Sequence, residues 1–183
     1  MSRIPLLPPE KMTAEQSRVY SDVLAKTGRA SGGPSIAYAY VPGLWEANNA
    51  VSAYLENQSA LTKAQIRIAA LVTSRKWNAD FPWSAQARMA LETGVAAEAV
   101  DAINSRRPAR FASPEDQAVY DVACEMAETG TLTPACFDSA MATLGNRRLI
   151  ETVGVVGQFC KTAMIANLAG AVAPADAPSK LKP

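Results

Sequence analysis

Two four-residue phrases, Thr13-Ala-Glu-Gln16 and Thr62-Lys-Ala-Gln65, commit this chain to a helical reading. Each offers a hydroxyl to an unpaired amide at a helix start and a glutamine that reaches back to the capping residue's own N–H. Apolar residues at helical spacing follow both: Val19, Val23 and Leu24 after the first, Ile66, Ala69 and Ala70 with Thr73 after the second. The spacing predicts helices ending near Lys26 and Lys76.

The same punctuation continues along the chain. A Gly/Ser/Pro stretch from Gly28 to Ser35 breaks the first helix, and Pro42 opens another that carries Leu44, Val51 and Leu55. Pro82 as a first-turn proline and Gly94 as a terminator bound a fourth helix, so that residues 62–76 and 82–93 form a helical hairpin. A short helix carries Val100 and Ile103. Ser113-Pro114-Glu115-Asp116 starts one that runs to about Thr129, and Thr133-Pro134 with Gly145 brackets a seventh. The last, roughly Arg147 to Ala169, is the most apolar piece. The expectation is an all-α, single-domain bundle of about eight helices over residues 1–170, followed by an Ala/Pro-rich flexible tail, residues 171–183.

The closing helix has the length of a membrane span, but Glu151, Gln158, Lys161 and Asn167 divide it into short apolar pieces. It reads as a core helix, with Gly154 and Gly157 placed for close approach of a neighbour. Eighteen Lys plus Arg balance seventeen Asp plus Glu, which gives no broad electrostatic reason to bind nucleic acid or anionic lipid. The expected partner is a small molecule. The segment MSRIPLLPPEK lacks the apolar run of a secretory signal, so a cytoplasmic setting is expected. Three cysteines, Cys124, Cys136 and Cys160, form no C-x-x-C pair and suit reduced thiols rather than a disulfide framework or thiolate metal site.

Histidine is missing altogether. That removes Ser-His, Cys-His and His-metal arrangements together and leaves acid–base work to carboxylates, Cys, Lys, Tyr or water. No histidine- or thiolate-based metal site is expected.

Residues 61–100, LTKAQIRIAALVTSRKWNADFPWSAQARMALETGVAAEAV, resemble the core of the carboxymuconolactone decarboxylase family, which includes the alkylhydroperoxidase D-like proteins. The shared pattern is a capped helix, a short turn, a helix start with Trp83 in the place of the family tryptophan, and the helix end ALETGV. The closing helix from RRLIE and the N-terminal lead-in RIPLLPPEKMTAEQ are also similar to the family. The resemblance implies a helical bundle of the alkylhydroperoxidase D-like type, a small carboxylated or lactone-like substrate, no cofactor, and a homo-oligomer, commonly trimer-based. It also marks departures. The positions of the peroxidatic cysteines fall on Ala79 and Pro82, the family histidine on Gln86, and a helix glutamate on Arg67. Ala and Pro supply no thiolate, and glutamine moves no proton at neutral pH, so thiol peroxidase chemistry is not expected.

Substrate contacts are therefore sought at Trp83, Gln86 and Arg67, and a catalytic acid at Glu151. Each has a structural alternative. Trp83 suits a pocket wall or the core; Gln86 suits an amide contact to a ligand carbonyl or simple packing. Arg67 suits an anionic substrate or an ion pair. Glu151 is an acid if burial raises its pKa, and a structural group if it pairs with Arg67 or Lys161. Three functions follow: a cofactor-independent decarboxylase or lyase, a small-ligand-binding or scaffolding protein of the same fold, and a thiol-dependent antioxidant.

Overall fold

The computed structural model describes residues 3–28 and 30–183. Its helices are α1 (Ala14–Thr27), α2 (Ser35–Tyr38), α3 (Pro42–Asn57), α4 (Lys63–Lys76), α5 (Asp80–Glu92), α6 (Ala97–Asn104), α7 (Pro114–Thr129) and α8 (Pro134–Ala169), and among the described residues every regular element is helical. Both capping boxes form. Gln16 Oε1 accepts from the Thr13 amide at 2.8 Å, Gln65 Oε1 from the Thr62 amide at 3.0 Å, and each threonine hydroxyl accepts the glutamine amide in return. The Ser113 and Thr133 hydroxyls cap α7 and α8 by accepting from the Asp116 and Cys136 amides, without a reciprocal side chain, and each is followed by proline in the first turn.

Two departures from the sequence reading offset each other in the helix count. The four-residue α2 has no side-chain cap and follows the Gly/Ser stretch, so nothing local announces it. The expected seventh and eighth helices are two arms of α8, divided at Gly145, where φ 69° and ψ 172° lie outside helical space. Glycine reaches that conformation at little steric cost, whereas an L side chain does not.

Helix α4 runs through the centre, packed against α5, α7 and α8. Its Ile68, Ala69, Ala70 and Leu71 have no exposed surface, and Trp83, Val119, Val122 and Val155 complete the main core around them. Truncating Leu71 to alanine there costs about 2–5 kcal/mol, the range for buried leucines. A second cluster joins α1 to α3: Val19, Val23, Tyr38 and Trp45, with Tyr38 lying parallel to Trp45 at a 6.5 Å centroid distance. Ile165 of α8 packs against this cluster and links it to the bundle.

By length and composition α8 is capable of crossing a membrane, yet Val155, Val156, Ala163 and Ala166 are buried against the rest of the chain. Gly154 and Gly157 of α8 do not serve close approach within the subunit. A Cβ at Gly154 would meet Leu55 at an ordinary 3.8 Å, and one at Gly157 would meet nothing within 4 Å.

Residues 171–183 lie as a strap along α5 and α6. Ala173 N–H donates to Asp80 at 2.7 Å, Trp83 Nε1 donates to Ser179 Oγ at 3.1 Å, and buried Asn104 holds both Lys180 O and Lys182 N–H. Leu181 packs onto the main core. An Ala/Pro-rich composition predicts a frayed end; one leucine and the two-sided amide of Asn104 provide the anchorage seen here.

Candidate functional site

The hairpin α4–α5 brings Arg67 and Gln86 together, as their spacing on facing helices requires. Arg67 Nη1 donates to Gln86 Oε1 at 3.2 Å, and Nη2 donates to Glu56 Oε1 of α3 at 2.5 Å. The Arg67 side chain is 5% exposed and the Glu56 side chain 36%, so the pair spans the wall of the bundle. Lys63 also pairs with Glu56 at 3.1 Å. Burial pulls the Glu56 carboxyl upward, but hydrogen bonds and charges from Arg67 and Lys63 together outweigh it and hold it below the ordinary carboxylate value. The arginine fork is thus occupied by a carboxylate of its own chain, while Arg67 Nε is buried without a hydrogen-bond partner.

Glu56 was not singled out from the sequence. A buried arginine calls for a carboxylate, but nothing local in EANNAVSAYLENQ marks which one.

Glu151 sits apart from this group. Its Oε1 accepts from Tyr54 Oη at 2.8 Å and Arg147 Nε at 3.1 Å; its Oε2 accepts from the Ala60 amide at 2.8 Å and Ser59 Oγ at 3.0 Å. Burial pushes its pKa up, and these four donors together bring it below the ordinary value. The ion-pair partner is Arg147, one turn earlier on α8, rather than Arg67 or Lys161. Such a carboxylate stays ionised and ties α8 to the α3–α4 connection; a proton donor would need the opposite shift. Trp83 has no exposed surface at all, and its indole N–H is taken by Ser179, which places it in the core beneath the strap.

A cavity of about 760 Å³ opens beside the other face of α5. Trp45 and Phe81 supply apolar wall, Tyr38, Asn48 and Asn49 polar wall, and Pro174 to Pro178 of the strap contribute one side. Phe81 reaches this place because Gly33 has no side chain: a Cβ there would lie 2.2 Å from the ring, and the glycine also holds φ +58°. The polar wall is fixed from behind. Gln158 of α8 donates to Asn48 Oδ1 at 2.9 Å and to Ser52 Oγ at 2.7 Å, and Tyr38 Oη donates to the same Asn48 oxygen at 2.9 Å. Burial pushes the Tyr38 hydroxyl up to about 12, so it remains a neutral donor. Among the described residues Arg88 and Asp176 are the charged members of the lining. None of these was legible as a site, because they come from α2, α3, α5 and the strap without a shared local motif.

No thiol borders this cavity. Burial pushes the Cys124 and Cys136 thiols up to about 11, with acidic neighbours adding to the shift, and Cys160 Sγ accepts a hydrogen bond from Trp77 Nε1 at 3.2 Å.

The arrangement of helices defines a class. No protein-family model and no curated protein sequence matches the chain, but solved structures do. A peroxidase-related protein with an alkylhydroperoxidase AhpD core from Ralstonia eutropha JMP134 is 17% identical, with TM-score 0.77 over 96% of this chain and 93% of that one. A peroxidase-related protein from Silicibacter sp. TM1040 is 18% identical, with TM-score 0.76 over 98% and 94%. The debrominase Bmp8, in complex with 2,3,4-tribromopyrrole, is 14% identical, with TM-score 0.75 over 96% and 93%. The fold is therefore AhpD-like, of the carboxymuconolactone decarboxylase type. At these identities the likeness speaks for the fold, and chemistry must be argued from the site.

Proposed function

We propose that this protein binds a small organic molecule in the cavity between α2, α3, α5 and the strap, and that the position used for chemistry elsewhere in the fold has become a structural ion pair. One observation carries the reading: the 760 Å³ cavity has a fixed polar wall facing aromatic residues, while Arg67, Gln86 and Glu56 are engaged with one another. Its volume falls within the roughly 300–1,000 Å³ of small-molecule sites. Trp45 and Phe81 suit a flat ligand body. Tyr38 and the two asparagines suit its polar edge, and an anionic substituent would meet Arg88 at the mouth.

The lyase reading requires a group that exchanges a proton near neutrality. Glu56 and Glu151 are both held low and Tyr38 is held high, so ligand binding has the stronger support. The raised thiols of Cys124 and Cys136 give the antioxidant reading little thiolate to work with. Three unpaired cysteines are in keeping with a reducing, cytoplasmic setting.

The protein is further proposed to assemble as a homo-oligomer, trimer-based. Ile150, Met164 and Leu168 form an exposed apolar stripe on α8, with Gly154 and Gly157 between them, and a second subunit would cover it.

A thermal-shift screen of lactones, keto acids, peroxides and 2,3,4-tribromopyrrole tests the binding reading, with hits measured by calorimetry. Ala85→Trp fills the cavity from α5 and should abolish binding of a hit without lowering the melting temperature by more than a few degrees. Equal binding by the filled variant would reject the site.

A further inference from the structure

A second cavity, about 390 Å³, lies between α4, the connection after α6, and α7, and shares no lining residue with the first. Its walls carry four cations. Two are neutralised: Arg107 pairs with Asp101 at 2.8 Å and Lys76 pairs with Glu128. The other two are not. Among the described residues neither Arg75 nor Arg106 makes an ion pair with a side-chain carboxylate.

The partner they share among the described residues is neutral. Arg75 Nη1 and Arg106 Nη2 both donate to Asn78 Oδ1, at 2.7 and 2.9 Å, so two guanidinium ions converge on one amide oxygen. Arg75 is 5% exposed, its Nη2 reaches Pro183 O at 3.4 Å, and its Nε is buried without any hydrogen-bond partner. Pro183, the last residue of the chain, offers Arg75 one long contact, and with the Arg75 Nε unfilled and the exposed Arg106 beside it this wall keeps a net positive charge that an anion would offset. Consistent with that, burial first and the Arg106 charge second depress the Arg75 pKa from its ordinary value.

The rest of the cavity says what kind of anion. Val72, Ile103 and Ala127 form an apolar surface beside the cationic side. A bare inorganic anion would leave that surface wet, whereas the planar carboxylate of a small organic acid matches a guanidinium fork and buries its body on the wall.

We propose that this cavity is a binding site for a small aromatic or short aliphatic carboxylate, its carboxylate facing Arg75 and Arg106 and its apolar body resting on Val72, Ile103 and Ala127. The site is independent of the cavity beside α5 and stands whether or not that one holds a ligand.

The test is calorimetry on the full chain with benzoate and, separately, inorganic phosphate. Benzoate is expected to bind with one-to-one stoichiometry per subunit, and Arg106→Gln, an exposed change that the fold will tolerate, is expected to weaken it at least tenfold. Arg75→Lys keeps the buried charge but removes the fork, and is expected to weaken binding similarly. Ala85→Trp, which fills the first cavity, is expected to leave benzoate affinity within twofold. Binding unchanged by Arg106→Gln, or lost in Ala85→Trp, would overturn the site. Phosphate binding without benzoate binding would overturn the assignment to carboxylates, and no heat with either probe at millimolar concentration would overturn the proposal altogether.

Discussion

Removing Glu56 separates a structural ion pair from a functional one. In Glu56→Ala the Arg67 guanidinium, 5% exposed, keeps only Gln86 as a partner. Breaking a fully buried pair by deleting one side costs about 3–5 kcal/mol. Because the Glu56 side chain is 36% exposed, solvent screening reduces this to about 1–3 kcal/mol. For a chain of this length, about 2 kcal/mol lowers the melting temperature by roughly 4–8 °C. Arg67→Met has the opposite character. It replaces the buried cation with a side chain of similar length and leaves Glu56 paired with Lys63 at the surface, so its cost should stay below about 1.5 kcal/mol.

The pH dependence has a definite sign. The folded-state pKa of Glu56 lies below its ordinary 4.5, so its stabilisation is complete above that value and disappears as pH falls through the folded pKa. The difference in melting temperature between wild type and Glu56→Ala should therefore be constant near neutrality and close in acid below about 4.5. Calorimetric melts of the three proteins between pH 3 and 7 are the assay. Greater destabilisation by Arg67→Met than by Glu56→Ala would refute the reasoning, since it would mean that Arg67 stabilises by packing rather than needing its counter-charge.

Other substitutions have equally specific outcomes. Glu151→Gln keeps the shape but loses charge and acceptor capacity against four donors, and chemical denaturation should show a loss of about 2–3 kcal/mol. Gly33→Ala puts a methyl group where the Phe81 ring stands and strains a positive φ; stability should fall by about 1–3 kcal/mol and binding of any ligand in the first cavity should weaken with it. Iodoacetamide should modify Cys124 and Cys136 slowly at pH 7, with a rate that climbs toward pH 11; rapid labelling at neutral pH would contradict their raised pKa values. Met164→Asp, in the exposed stripe of α8, should turn an oligomer into a 19.4 kDa subunit by light scattering, and an unchanged mass would remove α8 from the interface.

Helix boundaries were legible where the chain states them in local chemistry. Thr13/Gln16 and Thr62/Gln65 form the reciprocal caps that their spacing implies, and Gly145 breaks α8 where a terminator was expected. Helix α2 was hidden because neither a cap nor a hydrophobic period marks a single turn. The meeting of Arg67 with Gln86 follows from the hairpin, whereas Glu56 enters from α3 by tertiary packing alone. The first cavity was hidden for the same reason. Its polar wall depends on Gln158 meeting Asn48, 110 residues away, and its side on a strap whose composition gives no sign of docking. Gln158 read as an interruption of an apolar helix; it is in fact the group that orients Asn48.

The central claim is that a ligand occupies the cavity beside α5 without help from any thiol. The most direct measurement is a crystal structure of the wild-type protein with the strongest screening hit, paired with calorimetry on a variant in which Cys124, Cys136 and Cys160 are all serine. The account predicts density for the compound between Trp45, Phe81 and Asn48, and an affinity in the cysteine-free protein within about twofold of wild type, a difference of roughly 0.4 kcal/mol. Density at a cysteine instead, with binding lost in the cysteine-free variant, would contradict it.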